Sequence, residues 1–381
     1  MKLLVFAATP PPMHGQSATI AAMIEGFRCD PDIEVLHVNA RLSSESSDGG
    51  ADESRLRRFL RLVGWCARTW QLRRRHGAAA FYYVPGPPKR SALRRDLIVL
   101  ALCRPFFPQL VLHWHAIGLG DWLEAQATPL ERRLAHRLLG RATLSLVLAP
   151  ELARDAEQLA AQRITVVPNA AADPGPPPAH RVPPPNAPGE VLFLGLCTHE
   201  KGLFDTIDAI ELAHTLAPGR FRLTVAGGFA NREGHREFHA RVVKLPKGLV
   251  HYAGFADDNQ KRLLFARADA FCLPTTYAHE SQPLSLVEAL ANDVPIVTTR
   301  WRAIPGMLPA NSPHVWFVEP NRPSQIAEAL VAASRAPRPN GVLRAHYLAH
   351  YTPERHLATL KAALQSIDVS SPHGDRLARQ I

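Results

Sequence analysis

The stretch FCLPTTYAHESQPLSLVEALANDVPIVTTRWRAIPGMLP, from Phe271 to Pro309, constrains the chain more than any other. Phe271–Pro274 is a short apolar run and a polar segment follows it. Leu284, Leu286, Val287, Leu290 and Ala291 then fall at helical spacing. Val294–Thr299 returns to β-branched residues of strand character. Strand, loop, helix and strand in that order make a βαβ unit, and open sheets built from such units bind ligands beyond the carboxyl ends of their strands. Glu280 and Glu288 stand on either side of the helix start in that region. Glu288 has two readings here. It can touch a ligand, or it can close a capping box with Ser285 and merely satisfy a backbone N–H.

The chain has 381 residues, enough for two domains, and 46% of them are hydrophobic, which suits full globular cores. No apolar run approaches the roughly 18 residues that a membrane-spanning helix needs. The opening MKLLVFAATPPPMHG breaks into prolines after a brief apolar run, so it reads as a first buried strand and not as a signal segment. Cys29, Cys66, Cys103, Cys197 and Cys272 are scattered, with no CxxC pair. Neither a disulfide framework nor a zinc site is expected, and a reducing cytoplasm suits the chain. A net charge of +10 admits anionic partners: a polyanion, an anionic membrane surface or phosphorylated small molecules.

Read in order, Lys2–Ala8 is a strand, and Gly15 sits in the loop before a helix over Ala18–Phe27. Glycine there permits close backbone approach, and helix-start N–H groups attract phosphate, although a lone glycine by itself favours the reading of a plain tight turn. Ile33–Val38 is a second strand, and residues 41–54 are polar loop. RLRRFLRLVGWCARTWQLRRRHG, Arg55 to Gly77, reads as a basic amphipathic helix. Its apolar face is expected to pack on its own domain, and its arginine excess argues for an anionic membrane nearby. Ala79–Val84 and Gln109–His113 are further strands. His115, at the exit of the second, suits a polar residue lining an interdomain cleft better than His113 does, and no third ligand at fixed spacing supports a metal. Pro129–Gly140 is a helix, Leu144–Leu148 and Ile164–Val167 are strands, and Pro168-Asn169 brings the first domain to its end. The first domain is taken as 1–171. Residues 172–189, ADPGPPPAHRVPPPNAPG within them, form a proline-rich linker. An α/β rhythm then restarts over 190–350, and 351–381 supply a C-terminal helix expected to return to the first domain, followed by a loose tail.

The motifs together resemble the retaining nucleotide-sugar glycosyltransferases of the GT-B fold, family 4 (glycosyl transferases group 1 type). The pieces are VLFLG…HEKG (Val191–Gly202), LTVAGG (Leu223–Gly228), VHYAGF (Val250–Phe255), the aspartate of ADAFCLPT, and Glu280-x7-Glu288 with ALANDVPIVTT behind it. The resemblance implies an α/β fold of two Rossmann-like domains facing each other across a cleft. It also implies an enzyme that moves a sugar from a nucleoside-diphosphate sugar to a glycan or lipid-diphosphate-linked acceptor, in cell-surface polysaccharide or glycoconjugate synthesis.

The resemblance further implies roles for particular residues. Glu288 would hold the ribose hydroxyls, Glu280 would face the transferred sugar, and Lys201 would neutralise the diphosphate. N–H groups of Leu284 and Ser285 would assist Lys201. Gly15 would let the first domain approach the phosphates, His115 would reach the sugar, and Gly254 and Phe255 would flank the base. Glu280, His115 and Lys201 are thus the catalytic candidates, and the others bind donor. No metal and no separate cofactor are implied. The expected place is the cytoplasm, peripheral at the inner face of the membrane through 55–77.

Three positions depart from the family pattern. Leu196 stands where an arginine is common, so His199, Arg300 or Arg302 is a candidate substitute. Ser281 and Pro283 replace glycines after the first glutamate, and His14-Gly15 replaces a double glycine. Truncating Glu280 to alanine is expected to abolish transfer and leave the fold intact. Two other functions compete. A GT-B nucleotide-sugar epimerase would share the fold, and a basic nucleic-acid-binding protein would need a recognisable module that the chain lacks.

Overall fold

The computed structural model describes residues 1–11, 15–41, 54–78, 80–176 and 188–367. His14, nearly all of the expected 41–54 loop, Ala79, the middle of the linker and the C-terminal tail lie outside them. The chain divides into two compact units, one of Met1–Asn169 with Pro353–Ile381 and one of Ala170–Thr352.

The first unit is built on β1 (Lys2–Ala7), β2 (Glu34–Asn39), β3 (Ala80–Tyr83), β4 (Gln109–Trp114), β5 (Leu144–Val147) and β6 (Ile164–Val166). All pairings are parallel, in the order β2-β1-β3-β4-β5-β6. Parallel neighbours need crossover connections, which are usually helical. The sequence alone suggests no element between β3 and β4, yet a helix at Arg90–Cys103 makes that crossover. It buries Leu93, Leu97 and Leu100 in one cluster with Leu4, Phe81 and Leu112. The helix at Pro353–Gln365 adds Leu360, Ala363 and Leu364 to the opposite face, among Leu3, Val5 and Ile20. Its Lys361 ammonium donates to Asp30 at 2.9 Å and lies 2.7 Å from Asp32.

The basic helix runs Arg55–His76, capped by the Ser54 hydroxyl and stopped by Gly77 at φ 65°. Only its later turns pack on the unit. Leu62, Cys66 and Leu72 are buried, and the Trp70 indole donates to Leu102 O at 2.8 Å. Leu56, Phe59 and Leu60, expected on the packed face, are exposed. The apolar face is therefore split between core and surface.

The second unit repeats the plan with β7 (Gly189–Leu194), β8 (Phe221–Ala226), β9 (Val250–Gly254), β10 (Ala270–Leu273), β11 (Ile296–Thr299) and β12 (Val315–Val318). They too are parallel, in the order β12-β11-β10-β7-β8-β9. β7 comes first in the chain and the sheet grows away from it on both sides, so the strand order reverses between β7 and β10. Asp269, the aspartate of the ADAF motif, lies at the far end of this pair. Its carboxylate accepts the Glu190 N–H at 2.8 Å and its own N–H donates to Glu190 O at 2.7 Å, so it locks β10 beside β7 and is structural.

Candidate active site

Because the second sheet is parallel, the segments after β7, β8, β9 and β10 all leave by one edge. Where order reverses, the two flanking loops cannot both be covered by the same crossover helix, and a crevice opens. Here those loops are 195–202 and 274–283. Backbone and side-chain bonds join them: the Thr276 N–H donates to Glu200 O at 2.7 Å, and the Thr275 and Thr276 hydroxyls donate to the same oxygen at 3.2 and 3.4 Å. Gly202 brings them closest. It has φ +79°, and a Cβ there would stand 2.5 Å from Pro274 O, so both backbone conformation and space require glycine. From the other side, the Thr299 hydroxyl donates to Thr275 O at 2.5 Å and the Trp301 indole to Tyr277 O at 2.8 Å.

This clamped loop carries Glu280. Sequence suggests an open loop residue, but its side chain is only 7% exposed. One oxygen, Oε2, accepts from Lys201 Nζ at 2.5 Å and from the Thr275 hydroxyl at 3.0 Å. Lys201 is itself 18% exposed, and its ammonium sits 5.0 Å from the centre of the Tyr277 ring. An ammonium over an aromatic face gains further electrostatic support. Two residues far apart in sequence are thus one ion pair at the switch point. Thr275 and Tyr277 belong to the same cluster, and the polar TTY run within Pro274–His279 is the signal that could have drawn attention to them.

The helix behind the loop runs Leu284–Ala291 with Pro283 at its N-cap and no side-chain cap. Ser285 is therefore inside the first turn, and the capping box considered for Ser285 and Glu288 does not form. Leu284 and Ser285 are the first two helical residues, whose N–H groups have no intrahelical partner to meet. Glu288 finds a partner that sequence reasoning missed. The Lys261 ammonium, on the helix Asp258–Arg267, donates to its Oε1 at 2.8 Å. Burial raises the Glu288 carboxyl above its ordinary range, and Lys261 only partly opposes the rise. Burial acts to lower the Lys261 ammonium, but Glu288 and Asp258 outweigh it and the net shift is upward.

Gly254 ends β9 at φ +76° with open space where a Cβ would stand, so its backbone conformation and not its size demands glycine. Phe255 follows it and is 59% exposed, an aromatic side chain open to solvent beyond the carboxyl end of β9. Leu196, at the position of the missing arginine, is also exposed. Of its candidate substitutes, His199 bonds Glu237 at 2.8 Å and stacks on Phe204. Arg300 lies over Phe317. Arg302 donates to Ala278 O at 3.0 Å, within the loop that bears Glu280.

Gly15 and His115 belong to the first unit. Gly15 is the first residue of the helix Gly15–Gly26 and is not in the loop ahead of it. His115 follows β4, its ring 4.2 Å from that of His113. His113 is fully buried within the strand, where its Nδ1 meets the Tyr82 hydroxyl. Burial, then the neighbouring His115 and His356, hold the His113 imidazole well below its ordinary range, and so neutral. Among the described residues, no group of three or more His, Cys, Asp or Glu side chains could hold a metal. Among the same residues, no helix is long and apolar enough to cross a membrane.

Residues 188–335 match the family described as glycosyl transferases group 1. Among curated proteins, the chain is similar to WcaL of Escherichia coli (strain K12), named for a glycosyltransferase of colanic acid biosynthesis. The two are 26% identical over 157 residues, 40% of this chain and 37% of WcaL. It also matches glycogen synthase of Mycobacterium tuberculosis (strain H37Rv), 33% identical over 118 residues, 30% of this chain and 27% of that protein. The chain thus spans about a third of the length of these curated relatives. Among solved structures, sucrose-phosphate synthase from Thermosynechococcus elongatus superposes with a TM-score of 0.76 at 14% identity, covering 97% of this chain and 100% of that one. Those proportions show a shared fold along the whole length, the α/β architecture of GT-B glycosyltransferases. With that architecture and the match over 188–335, the chain resembles the glycosyl transferases of group 1 across most of its second unit.

Proposed function

We propose that the protein transfers a sugar, with its anomeric configuration retained, from a nucleoside-diphosphate sugar to a glycan or lipid-linked acceptor, in the synthesis of a cell-surface polysaccharide or glycoconjugate. The observation that carries this reading is the Lys201–Glu280 pair at the β7/β10 switch point, 2.5 Å between Nζ and Oε2. A largely buried ammonium suits an anionic diphosphate, and a buried carboxylate next to it suits sugar hydroxyls. A structure of Anabaena HepE in complex with UDP-glucose, similar in fold (TM-score 0.68, 15% identity, 96% of this chain and 99% of that one), supports a nucleotide sugar as donor.

In this reading the donor diphosphate competes with Glu280 for Lys201. As the bond between the anomeric carbon and the phosphate oxygen breaks, negative charge grows on the leaving group, and Lys201 with the N–H groups of Leu284 and Ser285 stabilises it. The acceptor oxygen bonds to the anomeric carbon on the same face, and its proton passes to the departing phosphate oxygen. Glu280, released from Lys201, orients the sugar through its hydroxyls. Glu288 accepts from the ribose, and Phe255 beside Gly254 offers a face to the base. No resident metal is required, because fixed protein groups meet the phosphate charge.

The exposed apolar turn of the basic helix supports a peripheral position on the inner face of a membrane. Leu56, Phe59 and Leu60 emerge among Arg57 and Arg58, the composition of a surface-seeking helix. Such docking gives access to lipid-linked acceptors.

A thermal-shift screen against UDP-, GDP-, ADP-, CDP- and dTDP-sugars identifies the donor, since a ligand that binds only the folded state raises its stability. Incubating that donor with a membrane extract should yield a glycan whose anomeric configuration, read by NMR, matches the donor's. An inverted product removes the retaining mechanism. Epimerisation or hydrolysis without transfer removes the transferase reading.

A further inference from the structure

The helix Asp258–Arg267 buries Phe265 as its anchor, and Lys261 lies one turn earlier on the side facing the Leu284–Ala291 helix. Packing does not demand a lysine at that place. Its ammonium nonetheless reaches Glu288 Oε1 at 2.8 Å, with 27% and 20% of the two side chains exposed. The other charge near it is Asp258, 3.7 Å away, whose side chain is 91% exposed and therefore answered by water.

We infer that Lys261 is a specificity-determining positioning residue: by holding one oxygen of Glu288 it keeps the carboxylate charged and aimed, and so sets the preference for ribonucleotides over 2′-deoxyribonucleotides. The inference rests on the reading of Glu288 as the ribose contact. A charged carboxylate accepts hydroxyl bonds of about twice the ordinary strength, whereas a protonated one offers a donor and a weak acceptor. Burial favours the protonated form here, and Asp258 pushes the same way. Lys261 is the cation opposing both. With one oxygen engaged by Lys261, the remaining one is left to accept from the ribose, so loss of the 2′-hydroxyl is felt in full.

The test is calorimetric titration of the full chain with UDP, ADP and GDP and their 2′-deoxy counterparts, followed with whichever base binds. Wild-type protein and the Lys261→Arg variant should prefer the ribo form by about tenfold or more. Lys261→Met should reduce that preference to within about threefold, and its residual affinity should fall off at higher pH than in wild type as the unopposed Glu288 protonates. A merely structural lysine would change affinity for both forms equally and leave the ratio and the pH profile unmoved. That result overturns the inference, provided Lys261→Met still unfolds cooperatively. If the variant does not fold, Lys261→Gln gives the same comparison. Glu288→Gln separates the two levels of the argument. If Glu288→Gln lowers the ribo preference and the lysine variants do not, the ribose contact stands and the role of Lys261 falls. If Glu288→Gln changes nothing, both fall.

Discussion

Lys201 Nζ and Glu280 Oε2 stand 2.5 Å apart although 79 residues separate them in the chain. The pair spans the two loops at the point where strand order reverses, and both partners are largely buried there. In the proposed reading, a diphosphate arriving at Lys201 would exchange one anion for another, with little rearrangement of the loops.

Replacing Lys201 with methionine should lower kcat/KM for transfer by about a hundredfold or more, the usual effect of deleting a group that stabilises developing charge. Lys201→Arg should not restore it fully, because a planar fork does not reproduce a compact point charge. Steady-state kinetics with the identified donor checks both.

The burial of Glu280 alters what its truncation should do. Alanine leaves the Lys201 ammonium without its carboxylate and the Thr275 hydroxyl with Glu200 O as its acceptor, which should cost about 1–3 kcal/mol of stability in addition to activity. Glutamine keeps an acceptor oxygen and should cost less, while still depressing transfer. Denaturant unfolding of the two variants beside wild type distinguishes them, and equal stability of all three would count against the pair as a structural element.

Gly202→Ala should destabilise the second unit by about 2 kcal/mol or more. The new Cβ meets Pro274 O in a backbone region that alanine rarely enters. The same substitution should weaken donor binding, since it pushes apart the loops that carry Lys201 and Glu280.

Glu288 gives the site a pH dependence whose sign follows from its raised carboxyl. Donor binding that uses the charged form should weaken as pH falls, beginning above the ordinary value of 4.5. Stability runs in the opposite sense. The folded state holds this proton more tightly than the unfolded chain, so the contribution is largest below the ordinary value and is lost as pH rises through the raised one. Donor titrations and thermal unfolding between about pH 4 and 8 should show these opposed slopes, and both should flatten in Glu288→Gln.

The strand and helix rhythm of the second unit was readable because its apolar runs and helical spacing are local properties. What was not readable depends on pairings across the fold. Lys261 and Glu288 are 27 residues apart and neither sits in a motif with the other, so only the packing of two helices reveals their bond. The capping box failed because Ser285-x-x-Glu288 has the right spacing whether or not the helix starts there, and Pro283 started it two residues early. The helix Arg90–Cys103 escaped notice because its arginines interrupt the apolar pattern. The split face of the basic helix escaped because periodicity tells which residues share a face, and not how far the core extends beneath them.

That split face predicts a membrane footprint. The triple variant Leu56→Ser, Phe59→Ser, Leu60→Ser should lose most binding to vesicles containing anionic lipid while retaining donor affinity, because none of the three joins the unit's core. Co-sedimentation measures it, and undiminished binding would place the contact elsewhere.

The most direct test of the account is calorimetric titration of wild-type and Lys201→Met protein with the nucleoside-diphosphate sugar that the thermal screen selects. The account predicts saturable binding by wild type and an affinity lower by about tenfold or more in the variant, the worth of a charge-assisted contact. Binding of equal strength in both proteins would contradict it.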